Sequence, residues 1–446
     1  MSRFSQTLEK QYGIPTVPLA NENIVSFGVG PHFKYTTGMP LRWVGAPYPF
    51  TGLKEESLRT YLQGKDRVSG KPLMQAIADA LTNPLTAEEK KTGIPPEAAS
   101  EPRLLPPDTE DHLQRLFKDK HWTDYNPVIL PTPERVAAML KGTSHKPDEV
   151  VKKESGTFGT TRPFTVEKVA IIAVMAGAKP EYLPVILALS TQVPYMDSTT
   201  SNAMMVLING PIRKQIGVHS GIGAFGPVAE ANSVIGRSMN LMHSILQGYE
   251  EGVTGFSSLS NPLRYNNMTI AENEEALPEG WKPVHVQMGH KPEDSVLTMF
   301  MGWQFVNCSG SVVEHYAPQL LMRDFTRVLA ATGAATIIMD PSVAYQLKVT
   351  QGFQAKEALA EWLSRNAEVP ARTYWANSIV SGMMAPLGKQ GLEPYAGWQK
   401  VSSDTLIKHL PNPKNINTVV VGGSTASVWF LTDFMAGRGI SIDAWR

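Results

Sequence analysis

The stretch AMMVLINGPIRKQIGVHSGIGAFGPVAEANSVIGRSMNLMHSIL, residues 203–246, decides the fold prediction. It begins with an apolar run typical of a buried strand and continues through a loop with basic residues. A glycine cluster then opens a helix that is predicted over about 228–246. Glycines beside a helix start bring backbone N–H groups together, which suits an anion. The sequence therefore predicts a strand–loop–helix unit with an anion-binding loop.

Polar and small residues of this stretch are the candidate binding residues. His219 is a candidate catalytic residue, because a loop histidine can donate to an anionic substrate or carry a proton. The predicted substrate- or anion-binding residues are Asn209, Arg213, Lys214, Ser220, Gly221, Gly223 and Gly226. The alternative is that the glycines only permit a tight turn and close packing of the helix.

The same glycines form the pattern GxGxxG, which occurs in dinucleotide-binding folds. In those folds the pattern leaves a strand directly, and an acidic residue follows on the next strand. Here the ten residues 211–220 separate the strand from Gly221, and the segment after the helix is polar. We therefore expect neither NAD nor flavin as a cofactor.

Composition and charge narrow the function classes. The chain has 446 residues, of which 42% are hydrophobic and 18% charged, so two or three globular domains are expected. Lys and Arg balance Asp and Glu at 41 each, and no net field favours nucleic acid or a membrane surface. The polar amino terminus and the interrupted apolar runs predict a cytoplasmic protein without a membrane span.

The strand and helix signals predict an α/β fold with layered parallel or mixed sheets and flanking helices. We expect a partial βαβ domain over 1–52 and a helical, proline-rich linker over 53–120. The main α/β domain, which carries the glycine-rich loop, is expected over 121–446. Within it, the segment NTVVVGGSTASVWFLTDFM predicts a buried strand, a Gly-Gly turn and a helix.

An acidic and histidine-bearing segment follows the glycine loop. Glu272, Glu274 and Glu275 precede His285 and His290, and such groups bind divalent metals or act as acid and base. Glu274 and His285 are candidate catalytic residues. Glu272, His285 and His290 are weak candidate ligands for a divalent metal, because their spacing matches no tight ligand motif. The alternative is a solvated acidic turn beside a structural histidine.

Cys308 is the single cysteine, so an internal disulfide is excluded. It lies in VNCSGSVVEHY, where a thiolate at a glycine turn before a helix, with His315 nearby, would have a lowered pKa. It is therefore a candidate nucleophile. The alternative is a small buried hydrophobic residue.

Several runs together match one family. They are GIPTV at Gly13–Val17, PTPERVAAMLKGT with PDEVV at Pro131–Val151, TVEKVAIIAVMAGAKPEYLPVILA at Thr165–Ala188, NGPIRKQIGVHSGIGAFGP at Asn209–Pro227 and IAENEEALPEGWKPVHV at Ile270–Val286. The chain resembles the UGSC family of (seleno)proteins over most of 13–30 and 125–300. The family carries a Sec/Cys-Gly-Ser-Cys motif ahead of the helix that leads into GIPTV, which this chain lacks. The family's cysteine in MAGAKPEY is replaced by Ala178.

The glycine-rich basic loop and the acidic and histidine-bearing segment predict an enzyme, or the large subunit of a heteromeric one, that acts on a small anionic metabolite. The resemblance further implies reductive, thiol-linked chemistry, with the Cys-Gly-Ser-Cys motif supplied by a small partner subunit. One alternative is a metal-assisted lyase or hydratase that needs no thiol, and another is a non-catalytic scaffold subunit. An oligomer is expected, with no nucleic-acid or membrane partner.

Overall fold

A computed structural model of the protein describes residues 2–25, 39–48, 54–91, 103–153, 163–193, 202–248, 257, 259–309, 317–329 and 333–446. The strands are β1 (Leu19–Asn21), β2 (Val44–Ala46), β3 (Val150–Lys152), β4 (Phe164–Thr165), β5 (Ala203–Asn209), β6 (Ile270–Ala271), β7 (Val296–Gly302), β8 (Phe305–Ser309), β9 (Ala335–Met339), β10 (Val369–Pro370), β11 (Leu406–Ile407), β12 (Ile416–Val420), β13 (Val428–Thr432) and β14 (Met435–Ser441).

The helices alternate with these strands along the chain. They are α1 (Ser2–Tyr12), α2 (Glu22–Ile24), α3 (Glu55–Gln63), α4 (Leu73–Thr82), α5 (Glu110–Asp119), α6 (Pro133–Leu140), α7 (Val166–Ala176), α8 (Leu183–Gln192), α9 (Ile212–Gln215), α10 (Glu230–Leu241), α11 (Val284–Gln287), α12 (Pro318–Phe325), α13 (Pro341–Val349), α14 (Lys356–Asn366), α15 (Ala371–Ala376), α16 (Ser378–Lys389) and α17 (Tyr395–Trp398). The predicted α/β class is confirmed.

Two four-stranded mixed sheets form the centre of the molecule. The first has the order β14-β7-β5-β6, in which β5 and β6 are parallel and the other pairs antiparallel. The second has the order β12-β9-β13-β8, in which β12 and β9 are parallel. Each sheet therefore contains one parallel pair, whose carboxyl ends share an edge.

Strand β5 is apolar throughout because it is buried on both faces. Met204, Val206 and Ile208 pack against the helices α6, α7, α8 and α10. Met205 and Leu207 point the other way and pack against the second sheet. This alternation follows from the two-residue period of a strand. It explains why the decisive stretch reads as an unbroken apolar run.

The second sheet is likewise covered by helices on one face and packs against the first sheet on the other. Ile337 and Met339 of β9 pack against α12, α13 and α14, whereas Ile338 between them packs against the first sheet. The described core is therefore layered as helices, sheet, sheet and helices. The expectation of layered mixed sheets with flanking helices is confirmed.

Local signals place the helix starts. The side chains of Thr132 and Thr165 accept hydrogen bonds from the N–H groups of Arg135 and Lys168, as N-terminal caps do. The helix after the glycine loop begins at α10, slightly later than predicted, and continues as a π-helical turn over Met242–Leu246.

The predicted helix after the Gly422–Gly423 turn is wrong. Residues 428–432 form β13, which pairs with both β8 and β9 in the second sheet. Valine, tryptophan and phenylalanine in this run favour a pleated, half-buried surface over a helix. The two flanking strands supply the hydrogen-bond partners.

The amino-terminal region contains the predicted parallel pair, β1 and β2. The next segment differs from the expected linker, because Leu73 and Ala76 of α4 pack against Val44 of β2. By contrast, Phe117 of α5 joins the core of the main body. The structure thus assigns the two halves of the predicted 53–120 linker to different packing units.

No helix within the described residues combines the length and the apolar character that crossing a membrane requires.

Candidate functional site

Polar side chains gather where β5 and β6 end. Asn209 is the last residue of β5, and Glu272 follows the last residue of β6. Since these strands are parallel, the two side chains meet at one edge of the first sheet. Glu272 is fully buried, and its Oε2 accepts hydrogen bonds from Asn209 Nδ2 at 2.8 Å and from the Val284 N–H at 2.7 Å.

Lys356 completes the environment of Glu272. Its Nζ lies 2.6 Å from Glu272 Oε1, and the two residues are only 2% and 0% exposed. A buried carboxylate is strongly disfavoured unless it is paired and hydrogen-bonded, and here both conditions hold. Lys356 begins α14, in the helix layer of the second sheet. The ion pair therefore joins the two halves of the core.

Arg213 and Lys214 form ion pairs with the neighbouring carboxylates. The buried Arg213 guanidinium lies 2.9 Å from Glu274 Oε2 and 3.1 Å from Glu275 Oε1. Lys214 Nζ lies 2.8 Å from Glu275 Oε1. The hydrogen bond from Arg213, with the contribution of Lys214, lowers the pKa of Glu275 to about 2. The prediction that Arg213 and Lys214 hold an anion is therefore corrected, because carboxylates of the same chain already neutralise them.

Glu274 is fixed by the turn that follows β5. Its Oε1 accepts hydrogen bonds from Asn209 Nδ2 at 3.0 Å and from the Gly210 N–H at 2.8 Å. Gly210 has φ +84°, and a Cβ there would overlap the Asp294 carbonyl. Only glycine fits this turn. Asn209 and Glu274 thus belong to one rigid buried network.

The two candidate histidines, His285 and His290, contact different carboxylates. His285 is fully buried with its Nδ1 4.0 Å from Glu274 Oε1, and neither ring nitrogen has a hydrogen-bond partner among the described residues. His290 is half-buried, and its Nδ1 lies 3.9 Å from Asp294. Among the residues described, no group of three or more His, Cys, Asp or Glu side chains is placed to hold a metal. The set Glu272, His285 and His290 does not fit a metal site.

The glycine-rich loop is a series of tight turns. Gly223 has φ +75°, the Ala224 N–H donates to the Gly221 carbonyl, and the Gly226 N–H donates to the Gly223 carbonyl. The Ser220 carbonyl accepts a 2.7 Å hydrogen bond from the Gly422 N–H. The loop therefore lies against the turn that follows β12 in the second sheet.

His219 stands at the base of this loop. Its backbone N–H and carbonyl are both bonded to the side chain of Asn232 on α10, at 2.8 and 3.0 Å. Its Nε2 lies 2.8 Å from the Ile222 carbonyl oxygen. A carbonyl oxygen only accepts, so Nε2 carries the proton and the Nδ1 lone pair is the basic position of the neutral ring. Backbone and tautomer are both fixed.

A cleft of about 220 Å³ opens between the glycine-rich loop and the second sheet. Its walls come from the loop, from the carboxyl ends of β9 and β12, from the Gly422–Gly423 turn and from the start of β13. The lining residues are Ile222, Gly223, Ala224, Phe225, Gly226, Ile338, Met339, Asp340, Val421, Gly422, Gly423, Thr425, Ala426, Val428, Trp429 and Phe430. Ligands of α/β proteins bind at this edge of a sheet.

Cys308 lies within β8, opposite Trp429 of β13. Burial raises the pKa of its thiol, whereas an activated nucleophile needs a lowered pKa. The expectation of a lowered pKa is therefore wrong. The predicted glycine turn and His315 lie outside the described residues.

Strand β6 corrects the argument against a dinucleotide site. The segment after α10 does reach a second strand parallel to β5, and an acidic residue, Glu272, follows it. That carboxylate is turned inward to Lys356 and Asn209, so it is not placed to bind a ribose.

Sequence reasoning predicted the Gly422–Gly423 turn but did not assign it to the site, and it missed Lys356 and Phe430 of β13 as site residues. A glycine pair directly after an apolar strand was a usable signal, because it permits close approach of a ligand or another backbone. For Lys356 no local signal exists, since its partner lies 84 residues away.

The fold and the cleft define an α/β protein with two packed mixed sheets and a cleft at the carboxyl edge of one of them. In the comparison with known proteins, no protein-family model and no curated protein matches the chain.

Proposed function

We propose that the protein is an enzyme, or the large subunit of one, whose small-metabolite substrate binds in the cleft beside the glycine-rich loop. One observation carries the proposal: the cleft lies at the carboxyl ends of the parallel pair β9 and β12, where α/β proteins bind ligands. Pockets for drug-sized ligands span roughly 300–1,000 Å³. A volume of about 220 Å³ fits a smaller molecule.

The anionic group of the substrate is assigned to backbone N–H groups of the two glycine turns. Arg213 and Lys214 are already paired with Glu274 and Glu275, so they do not serve this purpose. Consecutive N–H groups of tight turns form concave sites for anions. Membership of the UGSC family is part of the proposal and rests on the sequence runs alone.

His219 is the proposed proton acceptor. The hydrogen bond from Nε2 to the Ile222 carbonyl leaves Nδ1 as the basic atom, and Asn232 holds the backbone in place. A neutral imidazole of fixed tautomer is suited to general-base catalysis. Ile222 lines the cleft, so the His219 ring is one hydrogen bond away from a lining residue.

Retention of metabolites tests the binding step. We would incubate the protein with a metabolite extract of its own cells, isolate it by gel filtration and identify the retained compounds by mass spectrometry. Ala426→Phe fills the cleft from an exposed position, and Ala138→Phe makes the same change on an exposed face of α6. We expect retention by the wild type and by Ala138→Phe, with loss in Ala426→Phe. Equal retention by all three proteins, or none by the wild type, overturns the proposal.

Turnover of the retained compound tests the catalytic step. We expect His219→Gln to retain the compound and to lower the rate of its conversion by about 10²–10⁴-fold, which is the range for loss of a general base. An unchanged rate would remove His219 from the mechanism. If a copurifying protein alone converts the compound, and its rate is the same in the presence of wild type and His219→Gln, this chain is a scaffold subunit.

We further propose a small partner subunit that carries a Cys-Gly-Ser-Cys motif. This partner would supply the reductive thiol chemistry. Its support is the sheet of β1 and β2, which has two strands among the described residues, whereas parallel sheets normally have more strands and both faces covered. Phe4 and Tyr12 of α1 are also strongly exposed. Native mass spectrometry of untagged protein from its own cells tests it. A mass that corresponds only to copies of this chain overturns the partner and leaves the cleft proposal standing.

A further inference from the structure

We infer that the substrate carries a flat apolar ring, and that this ring packs on an aromatic wall of the cleft formed by Phe225 and Phe430. This inference rests on the proposed function and names its substrate class: a small aromatic or conjugated ring with an anionic group attached. The contacts of the wall, the remaining lining and the backbone of the two turns each contribute to it.

The aromatic wall is assembled from separate elements and held rigidly. Phe225 comes from the glycine-rich loop and lies 5.4 Å from Phe430 of β13, measured between ring centroids. Phe430 is supported from behind by Phe305 of β8 at 4.9 Å. Trp429, the preceding residue of β13, is buried on the opposite face of the strand against Phe325 of α12, so its ring is not part of the wall. Such contacts fix ring orientations, so the wall is preorganised for another ring.

The rest of the lining is almost free of charge. Among the lining residues, Asp340 alone is charged, and both of its carboxylate oxygens are occupied. Its Oδ1 accepts from the Val343 N–H at 2.9 Å and its Oδ2 accepts from the Val428 N–H at 2.6 Å. The remaining side chains are mainly apolar, with a single hydroxyl from Thr425. A sugar or a polyamine would find few partners here, whereas an apolar ring gains from burial.

The backbone of the turns supplies the polar end of the site. The N–H groups of Ala224, Gly226 and Gly422 are bonded to backbone carbonyls. Those of Gly223 and Gly423 have no backbone acceptor among the described residues. We assign them to the anionic group of the ligand. The aromatic wall then binds the ring of the ligand, and the N–H groups of the two turns bind its anionic group.

Glycine at 423 keeps the cleft narrow enough for a flat group. A Cβ at this position would overlap the side chain of Ile222 on the opposite wall. The Ile222 side chain therefore packs directly on the Gly423 backbone, and the two turns are in contact at this end of the cleft. We assign a planar ring, and not a bulkier saturated one, to the space beside them.

A ¹⁹F NMR titration with 4-fluorobenzoate tests the inference, because this probe has both a ring and a carboxylate. We expect binding to the wild type, displacement by benzoate, weaker displacement by cyclohexanecarboxylate, and none by acetate or inorganic phosphate at the same concentration. Phe225→Leu should weaken binding by about two- to ten-fold, the value of one aromatic contact. Tyr265→Leu, which removes an aromatic ring that is 81% exposed and does not line the cleft, serves as the control and should bind as the wild type does.

If acetate displaces the probe as effectively as benzoate does, the inference that the ligand carries a ring is overturned. Unchanged binding in Phe225→Leu would overturn it as well. Binding that survives Ala426→Phe would place the probe outside the cleft and also overturn the inference. These results are distinguishable from failure of the proposed function. If the wild type retains a metabolite without a ring and Ala426→Phe loses it, the cleft proposal stands and the ring inference falls.

Discussion

The buried network around Glu272 and the cleft beside the glycine-rich loop lie next to each other and differ in almost every respect. The network contains most of the charged residues that the sequence singled out, and they neutralise one another within the protein. The cleft is lined by glycines, aliphatic side chains and aromatic rings, with a single occupied carboxylate. Charge in this region of the chain therefore stabilises the fold, while the proposed binding site is built largely without it.

The difference follows from where each group can be satisfied. Buried charges need partners from the same chain, and Glu272 obtains them from β5, α11 and α14. A ligand cleft needs room and only a few polar groups. Substitutions in the network should therefore alter stability, and substitutions in the cleft should alter binding.

The largest expected effect is that of Lys356→Met, which leaves the Glu272 carboxylate buried without its partner. We expect the free energy of unfolding to fall by about 3–5 kcal/mol, measured by urea denaturation. Arg59→Met breaks the exposed pair with Glu55 and should change stability by less than about 0.5 kcal/mol. Adding Glu272→Gln to Lys356→Met should recover part of the loss. A decrease in the free energy of unfolding below about 1 kcal/mol in Lys356→Met would show that the ion pair contributes little to the stability of this edge of the first sheet.

The second prediction concerns Gly423→Ala, on the cleft side of the comparison. The new Cβ displaces Ile222, whose exposed side chain can move, so we expect a loss of stability of about 1 kcal/mol. Affinity for 4-fluorobenzoate should fall at least about ten-fold. Adding Ile222→Ala should restore the affinity, because it returns the lost space. Gly382→Ala in α16, where a Cβ meets nothing within 4 Å, is the matched control.

A smaller effect is expected at the rim of the network, at Glu275. Its folded pKa of about 2 lies below the ordinary value of 4.5, so its ion pairs stabilise the protein above pH 4.5. This contribution is lost as the pH falls from 4.5 towards 2. Because Glu275 is half-exposed, we expect Glu275→Gln to lower stability by less than about 1 kcal/mol at pH 7. Urea unfolding at pH 7 and pH 3 should show the difference shrinking at the lower pH; a constant difference would contradict the assignment.

The smallest expected effect concerns Cys308, which belongs to neither region. Burial raises the pKa of its thiol, so iodoacetamide at pH 8 should react with the folded protein at least about ten-fold more slowly than with the same protein in urea. Alkylation should leave 4-fluorobenzoate binding unchanged. A fast-reacting thiol whose alkylation abolishes binding would return Cys308 to the candidate site.

Much of the fold was accessible from the sequence because its signals are local. The apolar run of β5 and the capping threonines of α6 and α7 specify their elements over a few residues. The segment of β13 misled prediction because its strand character depends on hydrogen-bond partners from β8 and β9. Strand propensity is decided largely by such neighbours.

The site was predicted less well, for the same physical reason. Asn209 was singled out with the glycine-rich stretch and the glutamates with the acidic and histidine-bearing segment, but the parallel pairing of β5 and β6 that brings them together was not predicted. Their actual partner, Lys356, and the opposite wall of the cleft at Gly422–Gly423 lie far away in sequence. Whether Arg213 faces a ligand or a carboxylate is likewise decided by distant chain, and no spacing rule reveals it.

The Glu272–Lys356 pair also bears on how the molecule opens. One partner follows a strand of the first sheet and the other begins a helix that covers the second, so the two halves cannot separate without breaking this pair. Partial opening that leaves either charge buried is strongly disfavoured. We therefore expect the two sheets to lose their amide protection in hydrogen exchange together, with β5 and β9 sharing one opening free energy as a single cooperative unit.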